Sequence, residues 1–256
     1  KKRGRNLAEF ESSAMPNINR LGGILKIARK LDNKPLEYLA DLPKGKITLG
    51  VSDYSKGASR KASNTEALKL KKILVRHGRS VRVVENKDAV LSTATSLHNG
   101  LSGKNERKVE LIKVNNDWYK VIGVQDIDAY TRRDQARPAR DAKVGMLPPK
   151  LAQILINLCG PLPEGATVLD PFCGTGVVLQ EALLMGYRAY GTDISERMVE
   201  YSEKNLEKNS GLQGHYNTSE KMKTRFLNSA GIRKLMYTVF SDREFYIPEN
   251  LPDEIV

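Results

Sequence analysis

Two aspartates, Asp170 and Asp193, stand at positions from which they could act on one ligand. Asp170 opens the turn Asp170-Pro171-Phe172-Cys173-Gly174-Thr175-Gly176 after an apolar segment, and Asp193 ends the next such segment 23 residues later. Glycines favour a turn of this kind because the backbone must bend tightly and approach a ligand closely. A carboxylate at the end of a second strand, about 20 residues further on, suits the hydroxyls of a ribose. The spacing therefore predicts a nucleoside-cofactor pocket.

The glycine spacing distinguishes between two cofactors. A dinucleotide fingerprint requires G-x-G-x-x-G, so that helix amides face a pyrophosphate. Here Gly174 and Gly176 are followed by Val177-Val178-Leu179, without a third glycine. Asp170 would repel a phosphate but attract the amino group of a methionine. We therefore expect S-adenosyl-L-methionine rather than NAD; the alternative is a tight strand–helix turn in an unrelated α/β domain.

The turn and the strand after it supply most of the expected cofactor contacts. Phe172 and the backbone of the two glycines would hold the methionine part, Asp170 its amino group and Asp193 the ribose hydroxyls. Cys173 is predicted to pack rather than to react, because direct methyl transfer to an amine needs no covalent step. The predicted cofactor-binding residues of this region are Asp170, Pro171, Phe172, Gly174, Thr175, Gly176, Asp193 and Ile194.

Positive charge is concentrated in the first part of the chain. The net charge is +12; residues 1–146 contain 31 Lys and Arg against 16 Asp and Glu, whereas residues 147–256 contain 11 against 14. A polyanion is the usual partner of a segregated basic module, because each neutralised phosphate releases counterions. The alternative is a solvated, lysine-rich surface. The predicted nucleic-acid contacts are Lys26, Arg60, Lys61, Lys72, Arg76, Arg132, Arg133, Arg137 and Arg140.

Composition narrows the class of protein. The 256 residues suffice for one large domain or two ordinary ones, and a hydrophobic content of 40% can form packed cores. No apolar run approaches the roughly 18 residues of a membrane span, and no signal peptide is visible. Two cysteines and three scattered histidines form neither a disulfide framework nor a metal site. We expect a cytoplasmic, metal-free protein whose start is missing, because the chain opens without Met.

Residues 1–125 are predicted to form a basic α+β module. The pair Gly22-Gly23 marks a turn that leads into an apolar strand. Residues 66–77 have helical periodicity, with lysines and an arginine between the apolar positions. A short helix is expected at 91–97. The further predicted strands are 46–52, 80–84, 109–114 and 118–124.

Residues 147–256 are predicted to form a doubly wound α/β domain, after an arginine-rich junction at 126–146. Strand–helix alternation indicates a parallel sheet that binds its ligand at the carboxyl ends of the strands. The junction has four arginines in nine positions, which suits bidentate contacts to phosphate; a charged linker with local Arg–Asp pairs is the alternative. The predicted elements are helix 151–158, strand 166–169, helix 177–185, strand 188–192 and helix 196–208.

With these motifs the chain resembles the THUMP-containing tRNA guanine-N2 methyltransferases, the archaeal and eukaryotic type that acts on a guanosine of the tRNA core, and their bacterial relatives. The resemblance covers about residues 20–208; its marks include Leu21-Gly22-Gly23, residues 133–141, residues 145–152 and the glycine turn. It implies a Rossmann-like methyltransferase domain preceded by a THUMP-like module that grips the tRNA end. It also implies that Met146 and Pro148 lie beside S-adenosyl-L-methionine, as part of a segment that includes Arg137.

One motif of that family is missing from this sequence. Enzymes that methylate the exocyclic amines of bases hold the amine with an Asp or Asn that precedes two prolines and an aromatic residue, and stack the extruded base on that ring. The only Pro-Pro pair here is Pro148-Pro149, upstream of the cofactor turn. Residues 209–250 also lack the apolar strand and the acidic adenine contact expected in third position.

We therefore expect a fragment or a divergent short form with a partial sheet, in which 251–256 would open a fourth strand. An unpaired sheet edge favours a covering partner protein or a homo-oligomer. Three functions stay open: methylation of the N2 amine of a tRNA guanosine, methylation of DNA adenine-N6 or cytosine-N4, and RNA binding by a catalytically incomplete protein. The basic module with Leu21-Gly22-Gly23 favours tRNA methylation, whereas the missing motif favours the binding protein.

Overall fold

The computed structural model describes residues 7–12, 14–141, 145–208 and 222–226. The chain divides into two compact units: the first comprises Lys1–Asn19 and Ile24–Ile127, and the second comprises Arg20–Gly23 and Asp128–Val256. Each unit has its own sheet and its own hydrophobic core. The α/β class predicted from the sequence is confirmed, and the units divide within the arginine-rich junction.

The first unit is built on a mixed five-stranded sheet. Its strands are β1 (Lys26–Lys30), β2 (Ile47–Asp53), β3 (Val81–Val83), β4 (Lys108–Val114) and β5 (Asp117–Val124). They lie in the order β1-β5-β4-β2-β3. Strand β2 runs parallel to β3 and β4, while β5 is antiparallel to both β4 and β1. All of these strands overlap the segments in which the sequence predicts strands.

The long helix of the first unit packs on strands β2 and β3 of this sheet. The helices are α1 (Pro35–Ala40), α2 (Arg60–Arg76) and α3 (Thr93–His98). Helix α2 starts six residues before the predicted bound, because the Ser59 side chain accepts a hydrogen bond from the N–H of Ala62 and caps the helix there. It buries Ala67, Leu70 and Leu74 in the core that contains β2. The opposite side of α2 is left exposed and basic.

A buried carboxylate in the first unit holds Lys26. Glu110 is fully buried and accepts hydrogen bonds from Lys26 Nζ, Ser52 Oγ and Ser96 Oγ, each at 2.6 Å. Lys26 Nζ also donates to the carbonyl of Leu91 at 2.7 Å, and only 7% of the Lys26 side chain is exposed. The prediction that Lys26 contacts nucleic acid is therefore wrong. Its ammonium group balances a charge that would otherwise be buried without a partner.

The second unit has the alternating order of a doubly wound domain. Its elements are α4 (Ile127–Gln135), α5 (Pro149–Leu158), β6 (Thr167–Asp170), α6 (Val177–Leu184), β7 (Arg188–Asp193), α7 (Glu196–Lys208) and β8 (Met222–Phe226). Strands β6, β7 and β8 form a parallel sheet in that order. Leu179, Ala182 and Leu183 of α6 pack in one core with Ala189 of β7 and Leu206 of α7. The carboxyl ends of β6 and β7 thus meet at one edge.

Strand β8 corrects an expectation from the sequence. Residues 209–250 were expected to lack the third strand, but Met222–Phe226 pairs with β7 in parallel register, from Ala189↔Met222 to Asp193↔Phe226. Parallel strands usually read as continuous apolar runs, and the sequence Met-Lys-Thr-Arg-Phe is not such a run, so the pattern did not indicate this strand. The predicted fourth strand at 251–256 lies outside the described residues.

The double glycine of Leu21-Gly22-Gly23 contacts helix α5 of the second unit. A Cβ atom on Gly22 would lie 2.1 Å from the carbonyl oxygen of Lys150, which no side chain tolerates. Asn157 of α5 donates to the carbonyl of Arg20 at 2.7 Å, and the Arg20 guanidinium lies 4.9 Å from the centre of the Tyr187 ring. Gly22 is therefore needed for a close approach of two backbones, whereas a Cβ atom on Gly23 would meet only the Ile154 side chain, at 3.5 Å.

Among the described residues, no helix is both long and apolar enough to cross a bilayer. The same residues contain no group of three or more His, Cys, Asp and Glu side chains arranged to hold a metal ion.

Candidate cofactor site

The glycine turn joins β6 to α6 in a conformation that only glycine adopts easily. Gly174 has φ +51° and Gly176 has φ +82°, both in the left-handed region. A Cβ atom on Gly176 would lie 2.4 Å from Ser202 Oγ of α7 and 3.2 Å from the Ser202 Cα. A Cβ atom on Gly174 would meet nothing within 4 Å. Gly176 is thus required for packing against α7, whereas Gly174 leaves space on the side where a ligand could approach the backbone.

Asp193 ties this turn to the end of β7. Its Oδ2 accepts a hydrogen bond from the N–H of Gly174 at 2.9 Å, and its Oδ1 accepts one from the N–H of Ser195 at 2.8 Å. The backbone N–H of Cys173 adds a bond to the carbonyl of Thr192 at 2.8 Å. A carboxylate has about four acceptor positions, so both oxygens of Asp193 can accept a further bond from a diol. Asp193 therefore offers acceptor oxygens at the end of β7 for the predicted contact with a ribose, and the same oxygens hold the turn in place.

Asp170 is a mostly buried acid beside Asp193. Burial raises the pKa of Asp170 above its ordinary value; the hydrogen bond from the N–H of Phe172 opposes that shift, and the negative charge of Asp193 adds to it. A cationic group at this position would offset both the burial and the repulsion between the two acids. The amino group of a methionine is such a cation.

We expect Asp170→Asn to raise the melting temperature at neutral pH while weakening the binding of S-adenosylhomocysteine. Because the folded-state pKa of Asp170 is raised, its contribution to stability is present below the ordinary pKa of about 3.9 and is lost as the pH rises through the folded pKa. The amide keeps the bond to Phe172 and does not ionise. Thermal unfolding followed from pH 3 to pH 8 should therefore show the variant gaining on the wild type as the pH rises. A variant that is never more stable than wild type contradicts this account.

Two large apolar side chains are exposed at the same edge. Phe172 follows β6 and is 60% exposed, and Ile194 follows β7 and is 52% exposed. Burial of such side chains by a ligand is favourable by about 25 cal/mol per Å² of apolar area. An edge with two acids and two exposed apolar side chains suits a ligand that combines a charged amine, a ribose and an apolar thioether or ring.

Cys173 has the packing role that the sequence predicts. It is 5% exposed and belongs to the core of the second unit. Burial raises the pKa of its thiol to about 12, and the nearby Asp170 and Asp193 add to the shift. A thiol with that pKa is protonated at neutral pH and does not act as a nucleophile.

The predicted junction is partly helical and is held inside the second unit. Arg133 of α4 donates from Nε to Glu181 Oε1 of α6 at 2.7 Å and lies 4.3 Å from the centre of the Tyr130 ring. Glu181 is fully buried, and Gln153 of α5 donates to its other oxygen at 2.8 Å. Burial raises the pKa of Glu181, and the charge of Arg133 opposes the shift. The network links α4, α5 and the helix that follows the glycine turn.

Arg137 lies in the short segment after α4. Its side chain is 1% exposed; its Nε donates to the carbonyl of Arg133 at 2.8 Å and a terminal nitrogen pairs with Asp134 at 3.4 Å. The other terminal nitrogen lies 3.9 Å from the sulfur of Met146. Met146 itself is 36% exposed, and Pro148 occupies the N-cap position of α5. The local Arg–Asp pairing considered for the junction is therefore present at Arg137.

The predicted nucleic-acid contacts separate into a paired group and an exposed group. Lys26, Arg133 and Arg137 are held by partners inside their units, which corrects the expectation that they reach a phosphate. Arg60 is exposed and forms a 3.0 Å ion pair with Glu85. The remaining predicted contacts are exposed: Lys61, Lys72, Arg76, Arg132 and Arg140.

The relationship to known families is decided by a match that spans more than half of the chain. A family model for N6 and N4 methyltransferases, described as DNA methylase, matches residues 60–204. The chain belongs to this family. The resemblance to methyltransferases that the sequence predicts is thereby confirmed, and the matched residues of this methylase family include the glycine turn and Asp193.

Curated relatives of this methylase chain act on RNA according to their names. The tRNA (guanine(10)-N2)-dimethyltransferase of Methanothermobacter thermautotrophicus is 49% identical over 76 residues, which cover 29% of this chain and 22% of that protein. The enzyme of the same name from Methanocaldococcus jannaschii is 30% identical over 161 residues, 61% of this chain and 45% of that protein. The crystal structure of TrmN from Thermus thermophilus is 23% identical, covers 80% of this chain and 55% of that one, and has a TM-score of 0.36. The chain spans less than half the length of these two curated relatives.

Two residues that bear on the site were not predicted from the sequence. Glu181 stands in the apolar helix Val177–Leu184, where a lone acid signals a buried partner. Asn205 falls on the buried side of α7 with Met198, Val199 and Leu206, which signals a polar group that needs hydrogen-bond partners. Neither signal tells which partner is involved.

Proposed function

We propose that this chain carries the cofactor site and the RNA-binding module of an S-adenosyl-L-methionine-dependent methyltransferase that acts on the exocyclic N2 amine of a tRNA guanosine. The observation that carries the proposal is the edge at which Asp170 and Asp193 end adjacent parallel strands. The names of the curated relatives support tRNA as the substrate.

The residues at this edge fit S-adenosyl-L-methionine. Asp170 would bind the amino group and Asp193 the ribose hydroxyls, while Gly174 leaves its backbone open to close approach. Phe172 and Ile194 would cover the apolar parts and exclude water from the reacting sulfur. When bound, the cofactor would supply a methyl group for transfer to the amine nitrogen, with the sulfur leaving as a neutral thioether and the amine losing a proton. The chain therefore needs to orient the amine and the sulfonium rather than to form a covalent intermediate.

The exposed side of α2 is the strongest candidate for the RNA interface. Lys61, Lys72 and Arg76 are separated by 11 and 4 residues, which places them within about 60°, or one sixth, of the helix circumference at 100° per residue. Each is exposed, and no ion pair is described for them. Arginine and lysine side chains in such a row can follow a phosphate backbone.

We expect the triple variant Lys61→Ala, Lys72→Ala, Arg76→Ala to bind a tRNA transcript more weakly and with a smaller salt dependence. If each side chain neutralises one phosphate, the slope of log K against log salt should fall by roughly 2 to 3 in magnitude. Filter binding from 50 to 300 mM KCl gives both numbers. The control is Lys44→Ala, Lys46→Ala, Lys104→Ala, which removes the same charge from exposed loops before β2 and β4. Equal losses in the two triple variants would show that only net charge matters.

Methyl transfer with a labelled cofactor tests the proposed reaction. The chain is incubated with methyl-labelled S-adenosyl-L-methionine and a tRNA transcript, and the nucleosides are separated. Label in N2-methylguanosine is expected. No label is expected when the target guanosine is replaced by inosine, which lacks the 2-amino group. Absence of transfer to tRNA by a chain that binds the cofactor overturns the enzymatic proposal and leaves RNA binding.

DNA amine methylation is the second candidate, because the matching family model is described as DNA methylase. The two substrates are distinguished by offering duplex DNA and tRNA at equal nucleotide concentration. Label in N6-methyladenine or N4-methylcytosine, with none in tRNA, supports the DNA enzyme.

A further inference from the structure

Asn205 joins two segments that lie far apart in the sequence. Its Nδ2 donates to the carbonyl of Thr175, in the glycine turn, and to the carbonyl of Ala139, both at 3.0 Å. Its Oδ1 accepts a hydrogen bond from the N–H of Ala139 at 2.9 Å. Asn205 is 1% exposed, so these bonds are shielded from water.

Residues 136–141, which we call the arginine strap, are held against the cofactor turn in this way. The strap contains the buried Arg137 and the exposed Arg140, and its last residue, Asp141, forms an ion pair with Arg197 of α7. Helix α7 therefore binds the strap at two places: through the carboxamide of Asn205, which also binds the glycine turn, and through the ion pair between Arg197 and Asp141. A side chain that binds the strap alone would not touch the cofactor turn; Asn205 touches both.

The chemistry of the amide explains why asparagine is needed at this position. The contacts require one acceptor for an N–H and two donors for carbonyls, which a carboxamide provides. An aspartate of the same size could accept from Ala139 but could not donate to either carbonyl. An alanine would leave three buried backbone groups without this partner, and buried polar groups are rarely left so.

We infer that Asn205 is a positioning residue that couples the arginine strap to the cofactor turn, so that a ligand bound at the turn also orders the strap. The inference rests on the proposed function, since it takes the turn to be the cofactor site. Coupling between two sites is reciprocal and typically changes an affinity by 5- to 150-fold. The strap presents Arg140 at the surface, so ordering of the strap would fix a candidate phosphate contact when the cofactor is present.

Calorimetry and hydrogen exchange with S-adenosylhomocysteine test this coupling. In the wild-type chain, ligand should slow amide exchange in the turn, residues 173–176, and also in the strap. In Asn205→Ala, binding should weaken at least tenfold; at saturating ligand the turn should still be protected and the strap should not. Lys204→Ala, an exposed neighbour on α7, is the matched control and should behave as wild type.

Asn205→Asp serves where the alanine variant does not fold, because it keeps the acceptor for Ala139 and loses both donated bonds. A residue that only stabilises α7 would lower the melting temperature without separating strap protection from turn protection. If the wild-type chain binds the ligand but exchange in the strap is not slowed, the coupling is overturned and the proposed function is not. The coupling is also overturned if a folded Asn205 variant binds the ligand with the affinity of the wild type and its strap is protected. No binding by folded wild-type chain overturns the proposed function together with the coupling.

Discussion

Replacement of Asp193 by alanine should weaken the binding of S-adenosylhomocysteine at least a hundredfold, which corresponds to about 2.7 kcal/mol. We expect this to be the largest effect of any single side chain on cofactor affinity. The measurement is isothermal calorimetry at pH 7.5 on wild-type and variant chains, with circular dichroism to show that both are folded.

The magnitude follows from the two roles of this carboxylate. Its two oxygens accept the N–H groups of Gly174 and Ser195, and only 8% of the residue is exposed. Hydrogen bonds to a charged group typically contribute about 1.5 to 3 kcal/mol each. Alanine removes both, so the glycine turn loses its tie to the end of β7 and the ribose loses its acceptor in the same step.

Two further variants separate these roles. Asp193→Asn keeps the shape and one acceptor oxygen, but its NH2 group must face one of the two backbone N–H groups; an intermediate loss of about tenfold, or roughly 1.4 kcal/mol, is expected. Glu196→Ala removes an exposed acid at the start of α7 and should change the affinity less than twofold. An affinity of folded Asp193→Ala within threefold of the wild type would falsify the assignment of this edge as the cofactor site.

The elements that position the cofactor turn were predictable because their signals are local. Strands β6 and β7 and helices α6 and α7 each begin and end within one residue of the bounds expected from the sequence. The left-handed glycines at 174 and 176 fix the turn regardless of what packs around it. The same holds for Asp193, whose position follows from the end of a strand.

The roles of the basic residues were not predictable, because burial of a charge depends on partners distant in sequence. Lys26 and Arg76 are both basic residues, yet Lys26 binds Glu110, 84 residues away in the sequence, whereas Arg76 is exposed to solvent. Arg133 meets Glu181, 48 residues away. The residues of helix α4 were expected to form a polar junction for the same reason. The sequence around them does not show that Glu181 and Gln153, on other helices, provide a buried polar network for Arg133. Only the tertiary fold tells a structural arginine from one available to RNA.

The ion pair between Arg133 and Glu181 has the properties of a buried structural pair. The Glu181 side chain is fully buried and that of Arg133 is 16% exposed. Removing one partner of such a pair is strongly destabilising, because the other charge stays buried without compensation, whereas replacing both by apolar residues of similar size is often neutral or stabilising. This asymmetry gives a test that separates a structural role of Arg133 from a role in RNA binding.

Glu181→Ala should lower the free energy of unfolding of the second unit by about 3 to 5 kcal/mol, a large part of the 5 to 15 kcal/mol typical of a domain. Urea unfolding followed by hydrogen exchange of peptides from α6 and α7 measures it. The exposed pair of Lys204 and Glu200 on α7 is the control, since Glu200→Ala should cost no more than about 0.5 kcal/mol. Arg133→Met with Glu181→Leu should recover most of the lost stability. If the pair is structural, this folded double variant should bind tRNA as tightly as the wild type, because the contact to RNA then comes from exposed residues such as Arg132 and Arg140. A tenfold loss of tRNA affinity in the double variant would instead assign Arg133 to the RNA interface.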